Sequence, residues 1–181
     1  MSPDRPEAAI GSPDPDEHLD MPLIDPGKKA PAFNLPDQDG DKHALKDLAG
    51  RPVVLYFYPK DDTSGCTKEA CQFRDQLPDF KKSKAVVLGV SPDSVESHRK
   101  FVDKHDLNFT LLADAARDAD DNPKTCLKYG VWQEKSMYGR KYMGVVRTTY
   151  LIGPDGKVAH RWDKVKVPGH ADAVLEAIDA L

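Results

Sequence analysis

The feature that most constrains this chain is an unbroken apolar run, Val53-Val54-Leu55-Tyr56-Phe57-Tyr58, closed by Pro59. β-Branched and aromatic residues dominate it and no polar residue alternates with them, so it reads as a strand buried on both faces. Such a strand needs a covering layer on each side, which places it at the centre of a sheet. Pro59 has no N–H to give a ladder and ends the run.

The flanking segments supply the other layers. Phe33 to Leu35 and His43 to Leu45 are short strand signals around a turn at Asp39-Gly40. From Cys66 to about Lys82, the residues Cys66, Ala70, Phe73, Leu77 and Phe80 fall on one face of a helix, which Pro78 is expected to kink. Ala85 to Val90 is a second buried strand, and Ser94 is placed to cap a helix running through His105. Thr110 to Ala113 is a third strand, Ala115 to Asn122 a polar loop, and Lys124 to Tyr129 a short helix. Val145 to Ile152 and Lys157 to Trp162 form a hairpin about Gly153-Pro154-Asp155-Gly156, and Ala173 to Leu181 is a closing helix. The order βαβαβ, hairpin, helix predicts an α/β fold: a thioredoxin-like mixed β-sheet flanked by helices.

At 181 residues the chain suits one domain with a single sizeable core. Residues 1–29 differ from the rest, with Pro3, Pro6, Pro13, Pro15, Pro22 and Pro26, several acids and no aromatic. This segment is read as a disordered or loosely draped extension, because little apolar surface offsets its ordering entropy. The folded domain is expected over 30–181. A net charge of −4 gives no basic footprint for nucleic acid. No apolar run approaches the roughly 20 residues of a membrane span. Three cysteines make a poor disulfide scaffold and suit a reducing compartment, so the expected address is cytoplasmic.

Chemistry concentrates in Pro59-Lys60-Asp61-Asp62-Thr63-Ser64-Gly65-Cys66, which leaves the central strand and delivers a thiol to the first turn of a helix. Unpaired N–H groups and the helix dipole favour an anion there, so a Cys66 thiolate is expected to be stabilised. The same position suits an inert buried cysteine, and position alone does not separate the two. Cys126 has no companion at metal-ligand spacing and reads as structural. His18, His43, His98, His105, His160 and His170 are scattered without a ligand pattern. No metal or organic cofactor is expected.

The Pro-x-x-x-Thr-x-x-Cys pattern of Pro59, Thr63 and Cys66 resembles the peroxiredoxin signature. The stretch Ser64-Gly65-Cys66-Thr67-Lys68-Glu69-Ala70-Cys71 is similar to the bacterioferritin comigratory protein branch, a group of thioredoxin-dependent peroxidases. The likeness runs from about Gly27 to the carboxyl end and takes in Tyr129-Gly130-Val131-Trp132 and Arg147-Thr148-Thr149-Tyr150. Ser64 stands where many relatives carry proline, and Ala115 to Lys124 resembles a small insertion.

The resemblance implies that Cys66 attacks a hydroperoxide and becomes a sulfenic acid. Cys71 then resolves it as an intrachain disulfide, and thioredoxin or a similar dithiol restores the thiols. It also assigns Arg147 as the cation at the reacting oxygens, Thr63 as a hydroxyl that donates to one oxygen while accepting from another, and Pro59 as a shield against solvent. Without the resemblance, Arg147 reads as a surface salt-bridge residue, Thr63 as a helix cap and Cys71 as an ordinary helix residue, with Cys126 or an external thiol resolving the sulfenic acid instead. Partners implied are hydroperoxides and a dithiol reductant, with no nucleic acid or membrane. A monomer is expected, with a dimer as the alternative.

Thiolate supply cannot carry such a reaction alone. Lowering a thiol pKa from about 8.5 to about 6 raises the thiolate fraction at pH 7 roughly thirtyfold. Falling intrinsic nucleophilicity removes roughly tenfold or more of that. Transition-state stabilisation has to supply the rest. Two other readings stay open: a thioredoxin-type oxidoreductase, although the helix opens with Cys-x-x-x-x-Cys rather than Cys-x-x-Cys, and a chaperone or peroxide-sensing adaptor using the same thiol.

Overall fold

The computed structural model describes residues 21–181. Strands β1 (Asn34–Pro36) and β2 (Lys42–Ala44) form a small antiparallel ribbon, followed by a 3-10 turn at Leu45–Leu48. Then come β3 (Val53–Phe57), α1 (Ser64–Lys82), β4 (Val86–Ser91), α2 (Val95–His105), β5 (Thr110–Ala113) and α3 (Lys124–Lys128). The chain closes with β6 (Trp132–Met137), β7 (Arg140–Val145), β8 (Thr148–Ile152), β9 (Val158–Trp162) and α4 (His170–Asp179).

The central sheet has the order β5-β4-β3-β8-β9, with β3, β4 and β5 parallel and β8 and β9 antiparallel to their neighbours. Every residue of β3 is buried, as its sequence requires. Its pleat sends Val54, Tyr56 and Tyr58 into one core and Val53, Leu55 and Phe57 into the other. The first core is roofed by α1, α4 and the apolar side of α2. The second is covered by residues 23–35, the 3-10 turn and α3. The architecture is the thioredoxin-like mixed sheet flanked by helices.

Three boundaries differ from those read in the sequence. Residues 22–29 belong to the fold: Gly27 donates to the Val158 carbonyl at 2.7 Å, Val158 donates to Lys28 at 2.9 Å, and Ile24 donates to the Tyr150 hydroxyl at 3.2 Å. Backbone pairing to an edge strand holds this segment, which a count of apolar residues cannot reveal. The remainder of the expected extension, residues 1–20, lies outside the described residues.

The second difference is a β6–β7 hairpin with no counterpart in the sequence reading. Its tip, Tyr138-Gly139, has φ of 50° and 75°, the left-handed pair of a two-residue hairpin turn. Tyrosine is a poor signal for that conformation, so the turn was masked. As a consequence Val145 ends β7 and β8 starts only at Thr148, leaving Arg147 in the break between two strands rather than within one.

Third, α1 starts at Ser64 and passes Pro78 as a single helix. Pro78 cannot donate to the carbonyl of Arg74 four residues earlier, and the Asn108 side-chain amide takes that acceptor at 3.2 Å. Among the described residues no helix is long and apolar enough to cross a membrane.

Candidate active site

Thr63 is the N-cap residue of α1, so Cys66 stands in the first turn, where backbone N–H groups lack intrahelical partners. The Thr63 side chain does not cap the helix. Its hydroxyl donates instead to the Lys60 carbonyl at 3.0 Å, which commits its proton to the loop and leaves its lone pairs outward. Of the expected double role, donating to one oxygen and accepting from another, the donation in this geometry goes to the Lys60 carbonyl oxygen. Pro59, half-buried, separates the end of β3 from this loop.

Cys66 is only 2% exposed, packed with Tyr56, Ala70 and Phe73 in the first core. Arg147 reaches it from the break between β7 and β8: Nη2 donates to the sulfur at 3.2 Å while Nη1 donates to Glu69 Oε1 at 3.0 Å. The approach is close at Gly65, where a Cβ would stand 3.2 Å from Nη2, tighter than ordinary van der Waals contact. The structure therefore joins Cys66 and Arg147, 81 residues apart, directly.

Glu69, bonded to Arg147 beside Cys66, is a residue of this site that the sequence reading passes over. It lies one turn after Cys66, 1% exposed, on the apolar face of α1. A charged residue on that face was the available signal, because a buried carboxylate requires a partner. Burial pushes its pKa up from 4.5 to about 7, against the pull of Arg147. Its second oxygen, Oε2, is buried without a partner. Lys135 brings a second cation nearby: it donates to the Val145 carbonyl at 3.0 Å, and burial and the charge of Arg147 both lower its pKa. The hairpin that carries it was not foreseen.

Cys71 is half-buried on α1, also a free thiol. Cys126 lies across the sheet, wholly buried in the second core. Burial, reinforced by Asp114, pushes its thiol well up, and its N–H donates to Asp114 Oδ2 at 2.7 Å. It has the surroundings of a structural cysteine.

Among the described residues, the group of side chains with metal-ligand proximity is Asp61, Asp93 and His98, whose ligand atoms lie within 4.8 Å of one another. Each already bonds to protein: His98 to Asp61 and to the Leu112 carbonyl, Asp93 to Ser91 and to the Asp61 N–H. That saturation fits a hydrogen-bond network rather than a vacant coordination sphere.

A cysteine at a helix N-terminus, held by a half-buried arginine above a thioredoxin-like sheet, defines a thiol-based oxidoreductase of the thioredoxin fold. The chain belongs to the AhpC/TSA family, whose profile matches residues 26–161. A Coxiella burnetii relative, provisionally named peroxiredoxin bcp, is 50% identical over 152 residues, 84% of this chain and 97% of its own. Peroxiredoxin Bcp of Bacillus subtilis is 44% identical over 155 residues, 86% of this chain and 95% of its own. Among solved structures, Xanthomonas campestris peroxiredoxin Q superposes with a TM-score of 0.74 at 44% identity, covering 82% of this chain and 90% of that one. The Xanthomonas campestris bacterioferritin comigratory protein, described for its alkyl peroxide reduction activity, gives 0.77 at 42% identity, with coverage of 86% and 98%.

Proposed function

We propose that this protein is a thiol peroxidase that reduces hydrogen peroxide and organic hydroperoxides at Cys66. The observation that carries the reading is the Arg147 bridge, which holds one cation against both the nucleophile and a buried carboxylate. A guanidinium has enough fixed N–H groups to keep Glu69, contact sulfur and still meet a peroxide oxygen.

In the first step the Cys66 thiolate attacks one peroxide oxygen. The S–O bond forms as the O–O bond breaks, and the leaving oxygen takes a proton from solvent to depart as water or an alcohol. Arg147 stabilises the charge moving onto that oxygen, which is where rate enhancement is gained. The Thr63 oxygen accepts from the peroxide O–H, and Pro59 and the burial of Cys66 limit the access of water.

In the second step the Cys71 thiolate attacks the sulfenic sulfur, expelling hydroxide that is protonated to water, and a Cys66–Cys71 disulfide results. In an intact helix five residues separate Cα atoms by roughly 8.6 Å on faces about 140° apart, whereas a disulfide spans about 4.4–6.8 Å. The first turns of α1 therefore unwind before the bond closes. Burial of Cys126 on the opposite face of the sheet supports Cys71 as the resolving thiol. Thioredoxin or a similar dithiol then returns both thiols by exchange.

The test is peroxide-dependent NADPH consumption coupled through thioredoxin and its reductase. Many turnovers per chain are expected. Consumption limited to one equivalent would point instead to a sensor or adaptor.

A further inference from the structure

We propose that the buried Asp61–His98 pair is a positioning element of this site, acting through the Thr63 hydroxyl two residues further along the loop. The inference rests on the peroxidase reading above.

His98, on α2, is wholly buried. Its Nδ1 lies 2.7 Å from Asp61 Oδ2 and its Nε2 lies 3.0 Å from the Leu112 carbonyl. A carbonyl oxygen can only accept, so Nε2 carries a proton. Asp61 also receives the Tyr58 hydroxyl at 2.6 Å on Oδ1 and the Ser97 hydroxyl at 2.8 Å on Oδ2. With Nε2 donating to Leu112, the Nδ1–Oδ2 contact is one short hydrogen bond between His98 and an Asp61 carboxyl group already held by Tyr58 and Ser97. The result is a hydrogen-bonded pair sealed inside the protein, with Asp61 on the loop that leads to the nucleophile.

The pair is one of several fastenings of that loop to its neighbours. The Asp61 N–H donates to Asp93 Oδ2 at 2.8 Å. The next residue, Asp62, has a left-handed φ of 59° and turns its carboxylate to the other end of α2, where Lys104 and His105 meet it at 2.7 and 2.9 Å. Consecutive aspartates thus tie the loop to the first and last turns of one helix. Asp61 faces inward and has hydrogen bonds at both backbone and side chain, whereas Asp62 is exposed and screened. The inner fastening fixes where the Lys60 carbonyl and Thr63 meet.

The geometry at Thr63 gives this a catalytic consequence. The hydroxyl offers lone pairs to substrate only while its proton is committed to Lys60. Release of Asp61 would free Lys60 and let that proton rotate toward the peroxide site. Nothing in Cys66 or Arg147 needs to move for this loss to occur.

The test is a double-mutant cycle between His98→Gln and Thr63→Val, read by single-turnover oxidation of Cys66 with hydrogen peroxide and by iodoacetamide alkylation across pH. Glutamine can donate to Asp61 or to Leu112 but not to both. His98→Gln is expected to lower the peroxide rate constant about tenfold while its alkylation profile stays that of wild type. In the Thr63→Val background the same substitution should cost nothing further, because the group through which it acts is gone. Losses that multiply, or an alkylation rate that falls in step with the peroxide rate, would overturn the proposal. Should His98→Gln not fold, Ser97→Ala removes one donor to Asp61 from a partly exposed position, and about a threefold loss with the same non-additivity is expected. Wild-type protein that does not react with peroxide would instead remove the peroxidase reading itself.

Discussion

Arg147 donates from Nη2 to the sulfur of Cys66 at 3.2 Å, and it does so from a break between two strands rather than from a surface loop. Its side chain is 17% exposed, and its other terminal nitrogen is fixed by Glu69, so the guanidinium is held before substrate arrives. Arg147→Lys puts a point charge where a fork is needed. The second-order peroxide rate should fall by about a hundredfold, the scale of losing one oriented donor. Thiolate absorbance measured alongside decides the cause, since a drop fully matched by lost thiolate would sink the transition-state role.

Cys66→Ser should abolish turnover with every peroxide, because a serine hydroxyl is un-ionised near neutrality and forms no sulfenic acid. The fold should persist, as the change is nearly isosteric. Measurable catalysis in the coupled assay would refute the assignment.

Glu69 and His170 make opposite contributions to the pH dependence of stability. Glu69 ionises at about 7 when folded against 4.5 otherwise, so its proton stays on the native chain through that interval. Its contribution is full below 4.5 and is lost as pH rises through about 7. His170, packed on Phe73 and Trp162 and hydrogen-bonded to Thr149, is lowered by burial and then by Arg147, from 6.5 to about 4. Its contribution is full above 6.5 and is lost as pH falls through about 4. Relative to wild type, Glu69→Gln should therefore make stability rise more steeply with pH between 4.5 and 7, by a few kcal/mol in total. His170→Gln should flatten the acid limb below 6.5. Urea denaturation across pH gives both slopes, and parallel curves for variants and wild type would contradict the assignments.

Peptide mapping of peroxide-treated protein should find Cys66 linked to Cys71. A dominant Cys66 to Cys126 link would defeat the proposed cycle, since those thiols lie in cores on opposite faces of the sheet.

The extent of unwinding should be set at Arg74. There the Asn108 amide holds the carbonyl that Pro78 leaves free, and the Arg74 guanidinium donates to the His105 carbonyl at 2.7 Å. Hydrogen exchange in the disulfide form should rise over residues 63–73 and return to native protection after Arg74. Asn108→Ala should carry the unprotected region further down α1 and cost about 1 kcal/mol of stability. Protection that ends at the same residue in both proteins would assign the boundary elsewhere.

Local patterns determined much of this protein from the sequence alone. The run from Val53 to Tyr58 dictated a doubly covered central strand because no residue in it can face water. The 3.6-residue spacing of Cys66, Ala70, Phe73, Leu77 and Phe80 dictated the covering helix and put the thiol at its start. Ser94 was legible as a cap, and its side chain accepts from the Ser97 N–H. In each case the cause lies within a few residues of its effect.

What the tertiary structure decided depends on groups distant in the chain. Arg147 in isolation reads as an ordinary surface arginine, and Glu69 as an ordinary helix charge; only the meeting of the β7–β8 break with α1 buries them together against Cys66. Residues 22–29 look unfoldable by composition, yet an edge strand supplies their backbone partners. The hydroxyl of Thr63 could cap a helix or bind substrate as far as its sequence position goes. Its actual direction follows from the Lys60 carbonyl, whose place is set by Asp61 and by a histidine 37 residues further along. Hydrogen-bond direction and desolvation arise from three-dimensional surroundings, and no periodicity in the chain encodes them.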